Sequence, residues 1–399
     1  MQATTATRRA RAVPFSSRPG IAERLGIPYM DPLLLVAAVA LIAFSIFTLT
    51  EATQHDVPGS PYFYVERQTI YACLGLFGLF ALTQIDYSRF RELRVGIYTL
   101  MFTSIALVFV FGAAARGSRR TFNLPFFNFQ PAELGKVLLV LALAGFVIDG
   151  ARRGSPRQRT ARYLLLGLTP AALIFLQPDL GTALVFGVVT LAVMFVGGVR
   201  WSHFLAILAG FAVMVTAVLV VAPKVGAPVL KGYQEQRLTS FLHPSADPRD
   251  AGYQQNQAKI AIGAGEKTGR GDRATQTRLD FVPERTTDFI FAVVGERYGF
   301  LGAALILSLF ALLIWRALRI VTLSKNLYGT LVAGGITAML MFQVFVNVGM
   351  NLGIMPITGI PLPLMSYGGS SVLATLLAIG ILQSVHMQAR LSQKSRDYF

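Results

Sequence analysis

A single cysteine, Cys73, in 399 residues leaves no partner for an intrachain disulfide. It lies inside an apolar run, so it gives no sign of the compartment. The four histidines, His55, His203, His243 and His386, are scattered without metal-ligand spacing. Charge is scarce: Asp, Glu, Lys and Arg make up 14% of the chain, against roughly 25% in soluble domains. Also missing is a small-residue cleavage site after the first apolar run, Leu33 to Leu49. That run therefore reads as a retained helix and not as a removable signal peptide.

What is present is apolar, 54% of all residues, in runs long enough to cross a bilayer. These runs read as 33–49, 67–84, 96–114, 133–149, 162–177, 181–198, 203–222, 300–316, 328–350 and 366–388. The expectation is an all-α polytopic membrane protein of about ten transmembrane helices. The formal net charge of +16 does not point to nucleic acid, because the arginine blocks fall between apolar runs, where orientation in an anionic bilayer accounts for them. The N-terminus, the C-terminus and alternate connections hold 20 of the 36 basic residues; the short connections between them hold four. By the positive-inside rule both termini are cytoplasmic. The chain then divides into an Arg-rich arm (1–32), a membrane domain (33–388) and a short tail (389–399). One connection, about 223–287 between helices 7 and 8, is long, mixed in charge and expected to be a loop outside the membrane, and such loops tend to be functional.

Four segments at that outer end carry polar residues that a plain connector does not need. The first joins Gly117-Ser118-Arg119-Arg120 to Gln130-Pro131 with Glu133 and Lys136. Glu133 and Lys136 are i,i+3 neighbours, which suits a local ion pair snorkelling to the headgroups; with Arg120 they also suit an anion such as a lipid phosphate. In the second, Gln177-Pro178-Asp179-Leu180-Gly181-Thr182, Asp179 is placed to cap the next helix. The third runs through the long loop: Arg237, Gln257, Lys259, Asp280, then Pro283-Glu284-Arg285-Thr286-Thr287-Asp288. A helix is expected over 287–298, with Thr286 or Thr287 as its cap and Asp288 in its first turn. It is too short to span and runs into the span that begins near Phe300. A helix N-terminus lowers a carboxylate pKa, so a base at Asp288 needs burial or a neighbouring acid such as Glu284 to raise it again. The fourth, Asn347 to Ser371, has three prolines and the sequence Ser366-Tyr367-Gly368-Gly369-Ser370. Non-helical backbone there requires protein or a water-filled cavity to satisfy it.

Each segment has a structural explanation alone, but their coincidence at one end points to a site at the outer leaflet. On these motifs, from about Asp31 to His386, the chain resembles the SEDS family (shape, elongation, division and sporulation), with wording at Pro283-Glu284-Arg285 closer to the rod-elongation members. The resemblance implies a peptidoglycan glycosyltransferase that joins lipid II into a growing glycan strand outside the bacterial cytoplasmic membrane. It implies Asp288 as the essential acid, with Asp280 as a competitor by position. It implies Glu133, Lys136 and Arg120 in the site; Arg237, Gln257, Lys259, Glu284, Arg285 and Tyr367 join them as candidate substrate-binding residues. The tryptophan usual after the loop arginine is Thr121 here. The implied partner is a class B penicillin-binding protein, a transpeptidase, within membrane lipids. No cofactor is required by the residues; a divalent cation, Mg or Mn, would suit a leaving pyrophosphate. The competing readings are a flippase for lipid-linked precursors, which would need polar groups continuing through the midplane, and a scaffold for wall enzymes.

Overall fold

The computed structural model describes residues 29–54, 56–115, 118–123, 127–151, 154–217 and 251–396. Arg237, most of the N-terminal arm, His55 and the end of the C-terminal tail lie outside the described residues. The described chain is mostly helical, with one small three-stranded antiparallel sheet. Its main helices are α1 (Pro32–Ala52), α2 (Phe63–Thr83), α3 (Arg94–Phe111), α4 (Pro131–Gly150), α5 (Pro156–Leu176), α6 (Leu180–Val196), α7 (Trp201–Thr216), α8 (Ala251–Ala264), α9 (Ile290–Leu323), α10 (Leu327–Leu352) and α11 (Gly369–Arg396). Over the described residues, each of the ten apolar runs overlaps one of them. Seven (α1, α3, α4, α5, α9, α10, α11) are long and apolar enough to cross a membrane; α6 and α7 are shorter apolar helices. The first turn of α2 holds Glu66, and this helix is not among the seven.

Local chemistry starts these helices. Asp31 caps α1 by accepting from the Leu34 amide at 3.1 Å, with Pro32 as first helical residue. Ser155 and Gln158 form a reciprocal capping box at the head of α5. Asn326 caps α10 through the Gly329 amide. Burial then sorts the bundle. The apolar windows of α4, α10 and α11 are 78%, 72% and 89% buried, those of α3 and α9 only 17% and 28%. The first three form the centre, and the outer helices turn apolar side chains to surroundings as apolar as the core. Such an arrangement is stable where lipid replaces water. The centre is drawn together by α2 along α11, α3 along α4, and α10 against α6 and α9.

Two expectations are corrected. The long connection is not loop throughout: its described part holds α8, a 3-10 turn (Gly271–Arg273) and a short helix (Thr275–Arg278). The helix forms because Ala258 and Ala261 pack with Val282, Phe289, Ala292 and Met350 in a second apolar cluster, so the segment has a core of its own. The helix expected from residue 287 begins at Ile290, with Phe289 at the cap position and no side-chain cap of its own. Its run into the next span is as expected, and the break is Gly299, at φ 64° and ψ −158°, a conformation open to glycine and strained for other residues. Across that break Phe300 and Leu301 donate to the carbonyls of Glu266 and Lys267. Glu296 and Arg297 are enclosed: Glu296 accepts from the Gln276 and Thr277 amides at 2.8 Å, and Arg297 grips the Glu51 carboxylate at 2.6 Å.

Candidate functional site

The acidic turn, Pro283 to Phe289, is held by its own backbone and by three other parts of the chain. Thr287 and Phe289 amides both donate to the Glu284 carbonyl, at 3.1 and 3.2 Å, which needs Glu284 at φ 56°. Positive φ at a non-glycine residue is uncommon and persists where surroundings over-determine it. The surroundings here are explicit. Three successive carbonyls of the turn each receive a distant donor: Thr286 from the Tyr367 amide at 2.8 Å, Thr287 from the Ser366 hydroxyl at 2.5 Å, and Asp288 from the Asn347 and Asn351 amides at 3.0 and 3.2 Å. Asn351 also accepts from the Ala292 amide at 3.1 Å. That bond supplies the cap missing from the local sequence, because one of the orphan amides of α9 is satisfied from α10. Asp288 is half-exposed, and in the same turn the Glu284 carboxylate accepts from the Thr287 hydroxyl at 3.0 Å.

The proline-rich segment is the wall of the same site. Ser366 accepts from the Leu362 amide at 2.8 Å while donating to Thr287, and Asn347 donates to the Ile360 carbonyl at 2.8 Å. Gln68 of α2 and Ser45 of α1 donate to the carbonyls of Ser366 and Met365. Backbone that leaves a helix within a bundle must find such partners. Tyr367 ends the segment, half-buried, with Tyr71 and Arg67 beside it.

The other two segments join the first pair. Asp179 does cap α6, accepting from the Thr182 amide at 3.1 Å, and its second oxygen accepts from the Gln130 amide group at 2.9 Å. The Gln130 backbone amide donates to Ser370, which donates to the Asn128 carbonyl. Gly181 lies under the proline-rich segment, where a Cβ would come within 2.5 Å of the Thr358 carbonyl oxygen. Chain segments hundreds of residues apart are thus laced at one end of the bundle. Glu133 and Lys136 form the ion pair read from their spacing, both carboxylate oxygens 2.8 Å from the ammonium. They do not snorkel: they are 4% and 2% exposed at the head of α4. Arg120, partly exposed, stands on the strand Ser118–Asn123, which pairs with Ala113–Ala115 and Asn128–Phe129.

The remaining candidates are placed differently. Arg285 is 8% exposed and pairs with the carboxylates of Asp56 and Asp280. Asp280 itself is exposed. On α8 the inward glutamine is Gln255, donating to the Met350 and Met355 carbonyls, while Gln257 is half-exposed. Lys259 is exposed, its stem beside Gly353. Sequence reasoning gave no role to Asn347, Asn351, Ser366, Gln68 or Asp56. The available signal was two asparagines one helical turn apart in an apolar span, where polar residues are functional by default. Among the described residues no three His, Cys, Asp or Glu side chains gather as a metal site.

Residues 30–391 match the family described as cell cycle protein, named for FtsW, RodA and SpoVE. The chain is 35% identical over 368 residues to the peptidoglycan glycosyltransferase MrdB of Escherichia coli K12, covering 92% of this chain and 96% of that protein. It is 35% identical to stage V sporulation protein E of Bacillus subtilis, covering 90% and 98%. Among solved structures, a chain of a peptidoglycan synthase complex that coordinates polymerization and crosslinking superposes with a TM-score of 0.76 at 34% identity, covering 90% of this chain and 98% of that one. The rod shape determining protein RodA of Thermus thermophilus gives 0.65 at 31% identity, covering 90% and 96%.

Proposed function

The chain belongs to the FtsW, RodA and SpoVE family of cell cycle proteins, and from that membership we propose that it polymerises lipid II into glycan strands at the outer face of the bacterial cytoplasmic membrane. It is a peptidoglycan glycosyltransferase with about ten helices across the bilayer, both termini in the cytoplasm and its site facing the wall. The observation that carries this reading is the lacing of four polar segments around Asp288 at one end of an apolar bundle. A chemical site at one membrane face fits a substrate whose lipid lies between helices and whose sugars stand in the periphery.

In the proposed step a sugar hydroxyl attacks the anomeric carbon of the donor. The oxygen–carbon bond forms as the carbon–pyrophosphate bond breaks, with inversion at that carbon. The hydroxyl proton passes to the Asp288 carboxylate, and the pyrophosphate leaves on its lipid with the bonding electrons. An alcohol is a weak nucleophile at neutral pH, so a positioned base contributes about 10²–10⁴-fold. Negative charge growing on the pyrophosphate calls for fixed cations. Arg120 and Lys136 are assigned that role, with Arg237 as a further candidate outside the described residues. Glu284 keeps the turn negative beside Asp288 and favours the proton's capture. Lys136 already holds Glu133, so its contribution is a preorganised dipole and not a free charge. Tyr367, Gln257 and Lys259 are assigned to the saccharide and peptide parts of the substrate. Arg285 belongs to the scaffold of the turn by its two carboxylate partners.

The proposed partner is a class B penicillin-binding protein that crosslinks the strand as it emerges, in keeping with the synthase complex that resembles this chain. The test is polymerisation by the purified protein, alone and with that partner, given lipid II. Glycan product from the wild type and none from Asp288→Asn is the expected result. Lipid transfer across reconstituted vesicles with no polymer would favour a flippase instead.

A further inference from the structure

We propose that Tyr64, Arg67 and Tyr367 form a seat for a sugar ring of the glycan, next to the reacting one; this rests on the polymerase reading above. Tyr64, Arg67 and Tyr71 lie at i, i+3 and i+7 on α2, so they share one face. That face meets the end of the proline-rich segment. The Tyr64 and Tyr367 rings are 4.9 Å apart at 82°, and Tyr71 lies 6.4 Å from Tyr367. Phe127, just before the third strand, continues the cluster 6.1 Å from Tyr71. The Arg67 guanidinium stacks 4.2 Å above Phe63 and stands beside the Tyr367 phenol.

Three features separate this cluster from ordinary core. First, it is graded in exposure: Tyr71 is 5% exposed and forms the floor, whereas Tyr64, Arg67, Tyr367 and Phe127 are half-buried. Buried aromatic packing alone would enclose all of them. Second, it combines aromatic faces with hydroxyls and a planar cation. A pyranose presents apolar C–H faces and a rim of hydroxyl and acetamido groups, so it needs both a ring to stack on and donors at the edge; neither a lipid tail nor a bare phosphate uses both. Third, the cluster is tied to the reacting turn. The Tyr367 amide donates to Thr286 at 2.8 Å, two residues before Asp288, and Gln68 on the next position of α2 donates to Ser366 at 3.2 Å. A sugar held there is registered against Asp288 by backbone hydrogen bonds, which is what a polymerase needs to keep its strand in place between additions.

The experiment uses the full chain in detergent and lipid-free glycan fragments of disaccharide repeats. These carry no pyrophosphate and cannot be consumed as donors, so binding is read separately from chemistry. Wild-type protein should bind the fragments, and they should compete with lipid II in the polymerisation assay. Tyr64→Leu and Arg67→Gln should weaken fragment binding by about tenfold, the scale of one aromatic contact, and raise KM for lipid II or shorten the product strands, with kcat largely kept. Tyr64→Phe keeps the ring and should restore both. Equal thermal unfolding of the variants shows that folding is not the cause. Unchanged binding in Tyr64→Leu and Arg67→Gln, or a Tyr64→Phe no better than Tyr64→Leu, overturns the proposal. So does a loss confined to polyprenyl pyrophosphate lacking sugar, which would make the cluster a lipid seat. If wild-type protein binds fragments but makes no polymer, the polymerase reading fails and the saccharide seat stands.

Discussion

The side-chain amide of Asn347 on α10 donates to the main-chain carbonyl of Asp288 at 3.0 Å, across 59 positions of sequence. The backbone of the turn at Asp288 is therefore held by a residue far from it in sequence. Asn351, one turn further, makes the same bond and also caps α9 through Ala292. Replacing Asn347 with Leu should keep the chain inserted but let the turn drift. Asn351 still reaches the Asp288 carbonyl, but the Ile360 carbonyl loses its Asn347 donor; the cost is about 1–3 kcal/mol, and kcat should fall while KM for lipid II changes little. Single-turnover kinetics with purified protein checks it. Wild-type kcat in Asn347→Leu would show that the turn is aimed by other contacts.

Asp288→Asn keeps the shape and the backbone bonds but removes the proton acceptor. Its polymerisation rate should drop about 10²–10⁴-fold, whereas Asp280→Asn, altering an exposed partner of Arg285, should keep most activity. A gel of labelled glycan from both variants decides between them. Full activity in the first variant would remove Asp288 from the chemistry.

Glu133 and Lys136 are enclosed at the head of α4, so losing one partner strands the other. Lys136→Met should destabilise the protein by about 3–5 kcal/mol. The double change Glu133→Leu with Lys136→Met should recover most of that stability and still lack activity if the pair serves catalysis. Thermal unfolding in detergent, read with the polymerisation assay, separates the two roles. A stable and fully active double variant would make the pair merely architectural.

Ser366 is a relay, accepting from Leu362 and donating to Thr287. Ser366→Ala leaves both groups without this partner, and the expected effect is about 1–3 kcal/mol of stability together with slower polymerisation. Ser366→Thr, which keeps the hydroxyl, should retain more of each. Equal behaviour of the two variants would show that the relay contributes nothing.

Topology is open to direct labelling. After Cys73, which is exposed, is changed to Ser, single cysteines at Arg120, Asp56 and Tyr367 should react with an impermeant reagent from outside the cell. Cysteines at Arg91 and Lys325 should react only after permeabilisation. Labels on opposite sides at Arg120 and Tyr367 would mean that no common site exists.

Much was legible in sequence because membrane helices are dictated locally. A run of apolar residues, an arginine bias and a cap such as Asp31, Ser155 or Asp179 act within one segment, and over the described residues each of the ten runs overlaps a helix. The Glu133–Lys136 pair was legible for the same reason, as i,i+3 neighbours. Their burial was not, because it depends on what packs over the head of α4.

The start of α9 shows where local reasoning stops. Thr287 is a good cap by residue type, yet its hydroxyl is spent on Glu284 and the cap comes from Asn351. The fold of residues 251–264 likewise depends on Phe289 and Met350, distant in sequence. The amino-acid order alone set the apolar spans, their expected orientation and which polar residues break the pattern, since these follow from the cost of placing each group in lipid. Only the tertiary structure decided which donors satisfy the turn around Asp288 and which face of α2 meets Tyr367. Those are contacts between segments, and backbone left outside a helix takes whatever partners the assembled bundle brings within reach.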